Sequence, residues 1–127
     1  MIKATPELNR EKITDICGAC GVIPEENALC YFIYSDGSLI GFCLFKLTAG
    51  GGRVIALRNT KDSSDRDALV IAGRACLDFI QRQGGNDAIF EENDTDLAYR
   101  LGFEEKGDRL YLNLSGYFSG CCALKTQ

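Results

Sequence analysis

A mixed, mostly antiparallel sheet flanked by helices, an α/β (α+β) domain of three layers, is the fold expected of these 127 residues. Three features point to it. Two apolar runs, ALCYFIY (Ala28–Tyr34) and SLIGFCLFKL (Ser38–Leu47), meet through Asp36-Gly37, a strong two-residue hairpin signal. The stretch from Asp65 to Gln83 has the helical period and stops at Gly84-Gly85. Strand-like segments on either side of it, Arg53–Arg58 and Asp87–Glu92, complete a β-α-β unit, whose crossover is right-handed and parallel.

From the N-terminus, Thr5-Pro6 offers a helix start, a capping hydroxyl followed by proline at the first helical position. Ile13, Ile16, Cys17 and Cys20 then mark a buried stripe, with Gly18 and Gly21 as stopping points. The two runs of the first hairpin are apolar on both faces, so both faces of these strands are expected to be covered. Ala49-Gly50-Gly51-Gly52 reads as a hairpin loop leading into Arg53–Arg58 rather than as a phosphate cradle, because no helix follows it. In the long helix Leu69, Ala72, Gly73, Cys76 and Ile80 form the buried face. Asp94 or Thr95 caps a short helix through Leu101, closed by Gly102 with Phe103 behind it. Strands Glu104–Lys106 and Arg109–Leu114 finish the order α-β-β-β-α-β-α-β-β, with room for a short strand ahead of the first helix.

Composition narrows the function. The chain reads as a single domain over residues 1–127, and its net charge of −4 with scattered lysines and arginines gives no basic stripe for nucleic acid. The most apolar run, Leu39–Leu47, is too short to span a membrane, and the N-terminus lacks a signal-peptide core, so a cytoplasmic address is expected. Seven cysteines, an odd count placed partly within apolar runs, suggest reduced, packed thiols. Cys17-Gly18-Ala19-Cys20 has redox spacing but closes a helix instead of opening one. Pairing it with Cys121-Cys122 around zinc is disfavoured by the adjacent cysteines and the absence of histidine, so no metal is expected.

The element order, together with DLAYRLGFEEKGDRLYLNL near the end, resembles the GNAT family of acyl-CoA-dependent N-acyltransferases; Leu101-Gly102-Phe103 stands where that family's helix runs into its last strands. The resemblance implies acetyl-CoA or another acyl-CoA lying in a splay between the strands Arg53–Arg58 and Asp87–Glu92. Pantetheine would pair with the backbone of Leu57, Arg58 and Asn59. Pyrophosphate would sit at the turn that opens the long helix, on Ser63, Ser64, Arg66, Asp67 and Ala68. An amine, small molecule or peptide, would attack the thioester, with Glu91 or Glu92 taking the proton and Tyr99 as the acid that protonates the leaving thiolate.

The same residues depart from that pattern. The family's loop is glycine-rich, so that backbone N–H groups reach the phosphates; DSSDRDAL (Asp62–Leu69) has no glycine and one basic residue, Arg66. Read by themselves, Ser63, Ser64 or Asp65 cap the helix and the aspartates favour its positive end. The family's tyrosine position holds Ala98, with Tyr99 rotated about 100° around the helix. Glu91 and Glu92, being successive, face opposite ways, so at most one looks into the splay. Two functions therefore stand side by side: an acyl-CoA-dependent N-acyltransferase, or a non-catalytic domain on the same fold that has lost CoA. In the second, the strand material LYLNLSGYF (Leu110–Phe118) offers a homodimer edge.

Overall fold

The computed structural model describes residues 1–60 and 63–117. Among these residues run β1 (Ile2–Glu7), α1 (Arg10–Ala19), β2 (Leu29–Ser35), β3 (Ser38–Thr48), β4 (Gly51–Asn59), α2 (Arg66–Arg82), β5 (Asp87–Phe90), α3 (Thr95–Leu101), β6 (Glu104–Lys106) and β7 (Arg109–Asn113). The strands join one sheet in the order β1-β2-β3-β4-β5-β7-β6. Only β4 and β5 pair in parallel, joined by α2 as the crossover; the other neighbours are antiparallel. The result is the expected mixed, mostly antiparallel sheet between helices.

The N-terminus departs from expectation. Thr5 and Pro6 do not open a helix; they lie in β1, opposite Phe32 and Tyr31 of β2. β1 is an edge strand, the place in a sheet where proline is tolerated. The helix begins instead at Arg10, where the Asn9 side chain accepts from the N–H groups of Glu11 and Lys12. Asparagine is a stronger cap than threonine, and the alternation of β1 takes the residues before it.

Both hairpins of the sheet rest on their turn residues. Asp36 and Gly37 have φ of 50° and 88°, the positive values a two-residue turn of this type needs. In the next hairpin the turn is Ala49-Gly50, and Thr48 pairs with Gly51, so β4 starts two glycines earlier than expected. Packing is the reason. A Cβ on Gly52 would lie 2.5 Å from Cδ1 of Ile80, so only glycine lets α2 close on β4 there. At the other end of the chain, β7 is flanked by β5 and β6, so it offers no free edge over Arg109–Asn113; the edge is β6, short and fully charged. Within Leu110–Phe118, the β7 part is therefore paired on both sides, and Phe118 lies outside the described residues.

The sheet divides the core. Cys30, Phe32, Phe42 and Leu44 face α1 with Ile13 and Cys17, while Ile33, Cys43, Phe45 and Leu57 face α2 with Leu69, Cys76 and Ile80. The two-sided apolar runs are thus covered on both faces, as their composition requires. Cys17, Cys30, Cys43 and Cys76 are buried free thiols and Cys20 is half-buried at the C-cap of α1; Cys121 and Cys122 lie outside the described residues. Gly102, at φ 103°, ends α3, and the Phe103 N–H returns to the Ala98 carbonyl at 3.0 Å. Phe103 is then buried against Phe90, ring centroids 5.1 Å apart.

Candidate functional site

The site is set up by the way β4 leaves β5. Leu44 pairs with Ala56 and Phe45 with Val54, so Ile55 is an extra residue, a bulge that bends β4. β5 stays with β4 only from Gly51 to Val54. A last bond, Glu91 N–H to the Val54 carbonyl at 2.8 Å, closes the pairing, and the strands part beyond it. β5 accordingly ends at Phe90, not at Glu92 as its composition suggested. Among the described residues, the segment Leu57–Asn59 then has no strand on its β5 side.

A side chain fills the gap. Glu92 is 9% exposed, and its Oε2 accepts from the Leu57 N–H at 3.1 Å and from Arg58 Nε at 2.8 Å. Its Oε1 accepts from Arg58 Nη2 at 3.2 Å and from the Asn93 N–H at 3.0 Å. Arg58 Nη1 continues the chain to the Cys20 carbonyl at 2.7 Å. Burial pushes the Glu92 carboxyl up, but Arg58 and the two backbone N–H groups outweigh it and hold the carboxyl below the usual glutamate range. Burying a carboxylate is tolerable here because both oxygens are saturated with donors.

Glu91 faces the other way, as strand alternation demands. It is exposed and grips Arg53, Nε to Oε2 at 2.7 Å, while the far side of the same guanidinium holds Glu25 at 2.9 Å. The two carboxylates bind Arg53 firmly enough to raise its pKa further above its already high value. One groove of about 760 Å³ lies on this side, with Arg53, Glu91, Thr95, Glu105 and Arg109 in its wall. A second, of about 490 Å³, is lined by Leu57, Arg58, Asn59, Arg66 and Asp94. Glu92 and Asn93 belong to both walls, so they divide the two spaces.

At the start of α2 the cap reading holds. Asp65 is the N-cap, its Oδ1 accepting from the Ala68 N–H at 3.0 Å, and the Ser63 hydroxyl oxygen accepts from the Asp65 N–H at 3.3 Å. Ser64 is exposed. Arg66 points across to α3, where Nη1 sits 2.7 Å from Asp94 Oδ2, and Asp96 lies 3.5 Å from Nη2. Asp94 also caps α3 through the Leu97 N–H, and Arg66 holds its carboxyl below the usual range. Asp67 answers Arg100 of α3 at 2.6 Å. Asp62 lies outside the described residues.

Of the residues singled out in the sequence, Leu57, Arg58, Asn59, Arg66 and Glu92 converge on the smaller groove. Ser63, Ser64, Asp67 and Ala68 do not line it, and Glu91 faces the larger one. Tyr99 is half-exposed and donates its hydroxyl to Glu105 at 2.9 Å, while Ala98 is fully buried. Arg53, Glu25 and Asp94 complete the charge pairs without having been foreseen as site residues. Asp94 had a cap signal only, and nothing local ties Glu25 to Arg53.

No protein-family model and no curated protein sequence matches this chain. Solved structures do match it in fold. A protein described as an acetyltransferase of the GNAT family from Desulfovibrio desulfuricans superposes with a TM-score of 0.70 at 9% identity, over 90% of this chain and 99% of that one. The ribosomal-protein-S18-alanine N-acetyltransferase of Escherichia coli gives 0.68 at 12% identity, over 90% and 94%. A streptothricin-acetyltransferase-like protein of Bacillus anthracis, solved with acetyl coenzyme A, gives 0.56 at 13%, over 75% and 67%. The fold is that of the GNAT acetyltransferases.

Proposed function

We propose that this chain is a non-catalytic binding or interaction domain built on the GNAT fold, one whose acyl-CoA slot is filled by its own Glu92. The bond from the Leu57 N–H to Glu92 Oε2 carries the reading. Pantetheine would have to add to β4 at that N–H, and it would first have to displace a buried carboxylate held by four donors. The diphosphate end meets a second obstacle. The glycine-free turn is capped by Asp65, and Arg66 is already paired with Asp94 and Asp96. A diphosphate there would face the carboxylates of Asp65, Asp94 and Asp96, with the Ala68 N–H already taken by Asp65. A general base near neutral pH needs a pKa near neutral and a free lone pair. Glu92 has neither.

One observation favours a second reading, an N-acyltransferase using acetyl-CoA or another acyl-CoA. The two grooves meet at Glu92 and Asn93. If Glu92 turned out, a passage would join a donor side at Leu57–Asn59 to an acceptor side at Glu91. A small-molecule or peptide amine could then attack the thioester carbon, giving its proton to Glu91, while the departing thiolate took one from Tyr99. Pyrophosphate would rest on Arg66 and the Ser63–Ala68 turn.

Calorimetric titration of the purified protein with acetyl-CoA separates the two. A dissociation constant beyond about 1 mM is expected. Micromolar binding, weakened by Arg66→Ala, would overturn the non-catalytic reading.

A further inference from the structure

With the slot read as closed to CoA, the question becomes what its donors are suited to. Oε2 of Glu92 receives two of them, the Leu57 N–H and Arg58 Nε; Arg58 Nη2 reaches Oε1. The Nε/Nη2 edge of a guanidinium is a planar fork that matches the two oxygens of a carboxylate. A third donor from the backbone then fixes the plane and position of the bound group. This is a receptor for a carboxylate, and Glu92 is the carboxylate it now holds.

We propose that Leu57 and Arg58 form a carboxylate-binding site occupied from within by Glu92, which a ligand carboxylate entering from the smaller groove displaces. Three observations support displacement over a sealed structural pair. The Arg58 side chain is 38% exposed and lines the groove, although its partner is 7% exposed. The groove of about 490 Å³ at its mouth has room for a small organic acid. Glu92 itself lies past the end of β5, outside the sheet ladder that fixes its neighbours.

Charge defines the ligand further. Arg66, the other cation of the groove wall, is neutralised by Asp94 and Asp96, so Arg58 is the charge on offer among the described residues there. One guanidinium and one N–H balance a monoanion. They do not balance a diphosphate, which the nearby carboxylates repel. The class is therefore a small monocarboxylate, or a longer ligand presenting one carboxylate.

The proposal rests on the gap not being a CoA slot, and its test is independent of that reading. In Glu92→Ala the receptor is vacated. The full-length variant, isotopically labelled, is titrated with sodium acetate and in parallel with sodium chloride at equal ionic strength, reading the Leu57 amide and Arg58 Nε–H resonances. Acetate is expected to move both toward their wild-type positions, saturating in the millimolar range, with chloride inert. Shifts no larger than those from chloride would overturn the proposal. Should the variant fail to fold in chloride, refolding in acetate becomes the readout. Native protein recovered only with acetate supports the site, and none with either salt refutes it. Acetate rescue combined with micromolar acetyl-CoA binding to the wild type would sink the non-catalytic reading alone. No rescue and no CoA binding would sink the receptor alone.

Discussion

Replacing Glu92 by glutamine tests the closed gap most directly, because it keeps the size of the plug and removes its charge. The carboxylate accepts four hydrogen bonds, two on each oxygen. An amide offers one oxygen. If that oxygen stays toward Leu57 and Arg58 Nε, the NH2 group confronts Arg58 Nη2 and the Asn93 N–H, both donors. Arg58 can turn partly to water, so its loss counts little. The backbone donor left unpaired costs about 1–3 kcal/mol, and the surviving bonds fall from charge-assisted to neutral strength. Allowing for the exposure of Arg58, we expect Glu92→Gln to lose about 2–3 kcal/mol at neutral pH. With a urea slope of ~1.5 kcal/mol/M the midpoint drops by roughly 1–2 M. The effect has a sign in pH. Glu92 titrates lower in the folded chain than its value of 4.5 in the unfolded one. Its contribution is thus fully present above the unfolded value and fades as pH falls through the folded one. Comparing the two proteins at each pH removes the acid destabilisation they have in common. Urea denaturation of wild type and variant at neutral pH and near pH 3 should show a gap that shrinks on acidification. A gap under about 0.5 kcal/mol at neutral pH, or one equal at both, would refute the reasoning.

Two further outcomes follow from the packing. Gly52→Ala places a Cβ against Ile80 and should cost about 1–3 kcal/mol; Ile80→Ala alone should cost about 2–5 kcal/mol, but the double variant at least ~1 kcal/mol less than the sum. Strict additivity in urea denaturation would show that Gly52 is not there for α2. In native protein a thiol reagent followed by peptide mapping should spare Cys17, Cys30, Cys43 and Cys76, each at most 2% exposed, until urea unfolds the chain. Prompt labelling of any of the four would contradict their role as packed apolar groups.

What could be read from the sequence was what depends on near neighbours. The Asp36-Gly37 turn, the helix closed by Gly102 and a cap among Ser63, Ser64 and Asp65 are each written within a few residues, where φ preferences and free N–H groups decide the outcome. Thr5-Pro6 misled because local rules allow both a helix start and an edge strand, and only pairing with β2 chooses between them. Gly51 and Gly52 looked like loop residues because the side chain that demands them, Ile80, is supplied by α2. Glu92 was visible as a candidate base, and its alternation with Glu91 was legible. Its occupation of the gap was not. Three of its four donors come from 34 and 35 residues away, and the angle at which β4 leaves β5 depends on a bulge opposite Phe45.

The closed gap and the acidic turn are parts of one electrostatic arrangement. A backbone N–H turned inward from a sheet must find an acceptor, so once β5 departs, Leu57 needs a ligand or a side chain. A guanidinium beside it needs an anion for the same reason. Where a diphosphate supplies negative charge, the arginines around it can remain uncompensated by protein. Here the two arginines of the smaller groove are matched by protein, Arg58 by Glu92 and Arg66 by Asp94, and the same holds away from it for Arg53 with Glu91 and Glu25 and for Arg100 with Asp67. Placing glycines in the turn would therefore not by itself make a phosphate site. It would remove the Asp65 cap, at about 1 kcal/mol, and leave Arg66 still bound to α3. On the non-catalytic reading proposed above, the pairs at Arg58 and Arg66 oppose CoA together, and changing the loop alone leaves them in place.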